Sequence, residues 1–217
     1  MSKEINFNIK LTQEQKEIKN TVLKMPLNFI IGKEGTGKTM LAVNIALDLF
    51  FRKDTHYKQI IITRPTVTTE DFGYLPGGIS EKLDPFLQPI YENIRNVYGT
   101  TDVKKNKISK HIEKEEIRIL PIAFTRGVSY DNAIVIVDEF QNCTKSQMEM
   151  IIGRLGKTSK LIFSGSRQQV DLKQKLSSCI TLLNKLKQVP EYCYVAELTK
   201  NHRHPAVEKV LNIIRDE

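Results

Sequence analysis

The chain has 217 residues, of which 40% are apolar and 27% charged, and it contains no tryptophan. That composition suits one sizeable α/β domain and excludes a mostly disordered chain. Lys and Arg outnumber Asp and Glu by 33 to 25, and a formal charge of +8 attracts polyanions such as nucleic acid or acidic lipid.

No run approaches the ~18 apolar residues of a membrane span. The opening MSKEINFNIK lacks the basic-then-apolar pattern of a secretory leader. A soluble, cytoplasmic protein with no membrane partner is expected. Cys143, Cys179 and Cys193 are widely separated, which leaves neither a disulfide framework nor the CxxC pairs of a zinc knuckle.

Along the chain, six short apolar runs predict strands: LNFII at 27–31, QIIIT at 59–63, IRIL at 117–120, AIVIVD at 133–138, KLIFSG at 160–165 and YCYVAEL at 192–198. They are β-branched and continuous rather than alternating, as in strands covered on both faces of a mainly parallel sheet. Helical spacing of apolar residues falls at 39–51, 80–98, 145–155 and 172–186. The first of these is apolar on most of its circumference and is expected to lie buried on the sheet. Strand alternating with helix gives an α/β fold with helices on both faces. The most polar stretch, 99–116, carries Lys104, Lys105, Lys107, Lys110 and Lys114. It is expected as a basic loop or helix inserted into a single domain spanning 1–217.

The chemistry starts at GKEGTGKT, residues 32–39, which fits the phosphate-loop pattern G-x-x-x-x-G-K-T. It follows a predicted strand and opens a predicted helix, the setting such a loop requires. Gly32, Gly35 and Gly37 let the backbone curl around Lys33, Glu34 and Thr36, so that successive amides point at phosphate oxygens. Lys38 is placed to bridge the β- and γ-phosphates and Thr39 to ligate magnesium through its hydroxyl. The remaining metal ligand is expected from AIVIVDEFQN, 133–142, which delivers Asp138 and Glu139 at the carboxyl end of a buried strand. Asp138 would hold the magnesium shell and Glu139 would polarise an attacking water, giving ATP and Mg2+ as the implied cofactors.

These blocks, together with RPTVTTEDFGYLPG at 64–77, KLDPFLQPIYENI at 82–94, PIAFTRG at 121–127 and VDEFQNCTKSQMEMIIGRLG at 137–156, resemble the PhoH family in their order. The resemblance runs from about residue 12 to about residue 207. It implies a RecA-like P-loop ATPase, similar to the first motor domain of superfamily-1 helicases, in the compact form found in phages and bacteria. It also implies a role with RNA or single-stranded DNA and assembly into a homo-oligomeric, hexameric ring.

Further roles follow from the resemblance. Gln15 falls where helicase-like ATPases read the adenine edge, the alternative being an exposed helix glutamine. Arg64 falls where such motors touch the nucleic-acid backbone. Arg126 would act likewise, or pair with a carboxylate in the core. Gln169 matches the sensor of the γ-phosphate, whereas Ser166 stands where the family usually has aspartate, and that departure bears on hydrolysis rate. Arg203, between His202 and His204, is either a helix-entry surface residue or a cation that reaches a γ-phosphate, expected from a neighbouring subunit. Two other functions fit the motifs: a nucleotide-dependent RNA-binding switch with weak hydrolysis, and a thymidine-kinase-like small-molecule kinase. The second lacks its zinc-binding CxxC region here.

Overall fold

Continuous runs of Ile, Val and Phe do become strands covered on both faces. The computed structural model describes residues 7–65, 79–127, 130–166 and 182–215. Its strands are β1 (Leu27–Gly32), β2 (Gln59–Arg64), β3 (Ile117–Pro121), β4 (Ala133–Asp138), β5 (Lys160–Gly165) and β6 (Cys193–Leu198). They form one six-stranded sheet in the order β3-β2-β4-β5-β1-β6. Every neighbouring pair is parallel.

Successive strand residues point to opposite faces, and the packing follows that alternation. Ile30, Ile60, Ile62, Ile134, Ile136 and Ile162 enter one core. Phe29, Ile31, Ile61, Val135, Val137 and Phe163 enter the other, where the Phe29 and Phe163 rings stack with centroids 4.6 Å apart.

The helices are α1 (Gln13–Val22), α2 (Lys38–Phe51), α3 (Ile79–Tyr98), α4 (Asp102–Glu113), α5 (Lys145–Ile152) and α6 (Pro205–Arg215). The first core takes residues from α1, α2, α3 and α4; the second takes Met148 and Ile151 of α5. As its apolar circumference predicts, α2 is buried over most of its length. Its one acidic residue, Asp48, is met by Lys19 of α1 at 2.7 Å and by Arg52 at 3.1 Å. α5 is shorter than its pattern, because the chain leaves the helix at Gly153. Most of the helix expected at 172–186 lies outside the described residues, and 182–186 are helical.

The lysine-rich stretch is a helix, α4, whose one buried residue is Ile108. It is anchored by its charges as well: the Lys107 ammonium lies 4.4 Å from the Phe51 ring centroid and 5.8 Å from that of Tyr98. Among the described residues no helix is long and apolar enough to cross a membrane.

Candidate nucleotide site

β1 is buried at every position and ends in the glycine-rich loop, which turns directly into α2. Gly35 and Gly37 have φ of 78° and 82°, a region that costs residues with a Cβ. No side chain caps α2 at Gly37. The amides of its first turn are therefore available to an anion, and the helix dipole favours one there. Within the loop, the Thr36 hydroxyl donates to the Lys33 carbonyl at 2.9 Å, and the Lys38 ammonium donates to the same oxygen at 2.8 Å. Lys38 is 9% exposed. Burial pulls its pKa below the ordinary lysine value, and the Glu139, Asp138 and Glu34 carboxylates offset part of that shift.

β5 separates β1 from β4. The first turn of α2 nevertheless reaches over it, and the Thr39 hydroxyl donates to Asp138 Oδ1 at 2.7 Å. Ser164, on the strand between, donates to the same oxygen at 2.8 Å. The other oxygen, Oδ2, lies 3.2 Å from an Arg64 guanidinium nitrogen, which also stands 3.4 Å from Glu139 Oε1. Asp138 is 2% exposed, so its charge is both desolvated and fully answered. Glu139 has φ 52° and ψ 42°, left-handed backbone at a non-glycine residue. Such conformations cost energy and cluster where a side chain must be aimed. Gln141 Nε2 donates to Glu139 Oε2 at 2.5 Å, while its Oε1 accepts from the Ser166 amide at 3.0 Å. One glutamine thus ties the acidic pair to the segment after β5.

The stretch after β6 closes the loop from outside. The His202 amide donates to the Gly35 carbonyl at 2.9 Å, and Arg203 forms an ion pair with Glu34 at 2.7 Å. A Cβ on Gly35 would stand 2.6 Å from Arg203 Cγ and from Asn201 Oδ1, so the glycine also makes room for this segment.

Lys38, Thr39, Asp138 and Glu139 thus converge at the carboxyl ends of β1 and β4. Gln15 is 1% exposed, not on the surface. Its Nε2 donates to the Thr36 carbonyl at 3.4 Å and its Oε1 accepts from the Thr12 amide at 3.1 Å, which places it behind the loop. Arg64, expected on a nucleic-acid backbone, is turned inward to the acidic pair. Arg126 is exposed and has no ion pair among the described residues. Arg203 sits on the loop of its own chain. Gln169 lies outside the described residues. Sequence reasoning did not single out Gln141 or Ser164 as members of this cluster. Gln141 was within reach, since it closely follows the acidic pair; the approach of Ser164 to Asp138 depends on strand order.

The family model described as PhoH-like protein matches residues 9–215. A PhoH-like protein of Bacillus subtilis (strain 168) is 37% identical over 203 residues, covering 92% of this chain and 61% of the relative. A PhoH-like protein of Synechocystis sp. is 35% identical over 205 residues, covering 92% and 60% respectively. The chain therefore spans about three fifths of the length of these curated relatives. Among solved structures, the large terminase from a thermophilic bacteriophage superposes with a TM-score of 0.59 at 12% identity. That match covers 94% of this chain and 50% of the terminase. The fold is that of a RecA-like P-loop NTPase.

Proposed function

The chain belongs to the PhoH-like family, and on that premise we propose that it is a magnesium-dependent ATPase coupled to RNA or single-stranded DNA. The observation that carries this reading is the 2.7 Å hydrogen bond from Thr39 to Asp138. It joins the end of the phosphate loop to the end of the acidic strand. A hydroxyl and a carboxylate oxygen are hard donors of the kind that hold magnesium alongside substrate phosphates, so the residues present fit the ion. Magnesium, when bound, neutralises charge on the phosphate oxygens.

The loop amides and the α2 dipole bind the phosphates, and Lys38 exchanges its contact with the Lys33 carbonyl for phosphate oxygens. Glu139 accepts a proton from the attacking water. Gln141 holds that carboxylate in place from its far oxygen. Arg64 balances the two acidic charges, and Arg203, held on Glu34, is a cation at the mouth of the loop. The charge of +8 supports the nucleic-acid half of the reading. A homo-oligomer is supported by α6, whose Val207, Val210 and Ile213 form an exposed apolar stripe at helical spacing.

A nucleotide-dependent binding switch is the second reading. It is favoured by Ser166, a buried neutral side chain where the resemblance expects aspartate. ATP turnover measured with and without RNA and DNA oligonucleotides tests both. Turnover that rises with a strand supports the ATPase; a lasting ATP complex with negligible turnover supports the switch.

A further inference from the structure

Where β3 leaves the sheet, the chain makes a 3-10 turn, Ile122–Gly127. The β2–β3 register pairs Pro121 with Arg64, so the turn starts at the carboxyl edge beside the residue that faces the acidic pair. Its framework is fixed. Ile122 is 1% and Thr125 0% exposed. The Thr125 hydroxyl donates to the Ile122 carbonyl at 2.7 Å, and Arg154 donates to the Thr125 carbonyl at 3.4 Å. Between these two pegs stands Phe124, 52% exposed. It is the one exposed phenylalanine among the side chains described, and exposed Arg126 follows two residues later.

The turn, pegged on either side, holds this aromatic ring out towards solvent. A protein-docking patch would surround it with other apolar groups. Along the described turn, the exposed residues next to it in sequence are Ala123, Arg126 and Gly127 instead. An exposed ring with an exposed cation two residues further along the same turn suits one face of a nucleobase together with a nearby phosphate. Bases inside a duplex stack on each other and do not offer that face.

We propose that Phe124 is a stacking platform for a base of single-stranded nucleic acid and that Arg126 takes an adjacent phosphate. This rests on the nucleic-acid reading above and locates its track across the carboxyl edge of β2 and β3, next to the nucleotide site. A strand lying there would feel any movement of the β2 end that accompanies release of Arg64 from Asp138 and Glu139.

The test uses the full chain and labelled oligo(U) and oligo(dT) of about 12 nucleotides, each with an abasic counterpart of equal length. Phe124→Ala should weaken binding of the intact strands by about tenfold and leave the abasic strands unchanged. Arg126→Ala should weaken both kinds and flatten the salt dependence. Because the chain has no tryptophan, Phe124→Trp introduces a sole indole, whose emission should be quenched by intact strands and not by abasic ones. Comparing oligo(U) with oligo(dT) separates RNA from DNA as the source of the base. Intact strands that bind Phe124→Ala as tightly as wild type, with the indole unquenched, overturn the platform and leave the nucleic-acid reading standing. Absence of strand binding by wild type overturns both. A change in scattering mass of Phe124→Ala with unchanged strand affinity reassigns the ring to a protein contact.

Discussion

At the scale of single residues, the site works through shared oxygens. Asp138 Oδ1 accepts from Thr39 and Ser164, and the Lys33 carbonyl accepts from Thr36 and Lys38. Lys38→Ala should lower ATP affinity by roughly a hundredfold, because a charged donor is lost from a desolvated phosphate site. Isothermal titration with unhydrolysed nucleotide checks this, and unchanged affinity would remove the loop from nucleotide binding. Glu139→Gln keeps the shape and the left-handed backbone position but loses the charge. It should bind ATP normally and hydrolyse it roughly a hundred to ten thousand times more slowly. Single-turnover phosphate release is the measurement, and wild-type rates would make Glu139 structural. The loop and the acidic pair were legible in the sequence because the first has a fixed glycine and lysine spacing and the second ends a continuous apolar run. The contacts of Gln15, Gln141 and Arg203 were not, since each is set by which strand ends lie together.

At the scale of elements, the sheet was legible strand by strand, because continuous β-branched runs survive only where both faces are covered. α4 was less so. With one buried residue it has little apolar signal, and what fixes it, lysine over aromatic rings, is a tertiary contact. Lys160, the first residue of β5, shows how one strand end secures a helix. Its ammonium, 2% exposed, donates to the Val22 carbonyl at 2.7 Å and to the Met25 carbonyl, holding the end of α1. Burial lowers its pKa from 10.5 to about 8. The folded chain therefore gives up this proton at lower pH than the unfolded chain, which binds more protons between the two values. Stability of wild type relative to Lys160→Met should accordingly rise as pH increases from about 8 to 10.5. Urea unfolding of both proteins across that range provides the difference; a flat curve would show that the lysine titrates alike in both states, and a falling one that folding raises its pKa.

At the scale of the whole molecule, the question is whether one domain suffices. Arg203 contacts Glu34 of its own chain, and we propose that its charge acts there rather than on a neighbouring subunit. Arg203→Ala should retain ATP and lose most turnover, and mixing it with Glu139→Gln should restore nothing. Recovery in the mixture would instead assign the arginine to a neighbouring subunit's site. Association is a separate matter, and we propose the exposed stripe of α6 as its surface. Val210→Glu combined with Ile213→Glu should shift the scattering mass towards the monomer, and an unchanged mass would place the contact elsewhere.

The placement of β1 also has a bearing on how the protein comes into being. The strand that carries the phosphate loop has β5 on one side and β6 on the other. Both are translated long after it, so Phe29, Ile30 and Ile31 wait for their flanking partners while most of the chain is still being made. Pairings this remote along the polypeptide close slowly. A nascent chain therefore fixes its glycine-rich loop late, once Leu198 has left the ribosome and the strand beside β1 is in place.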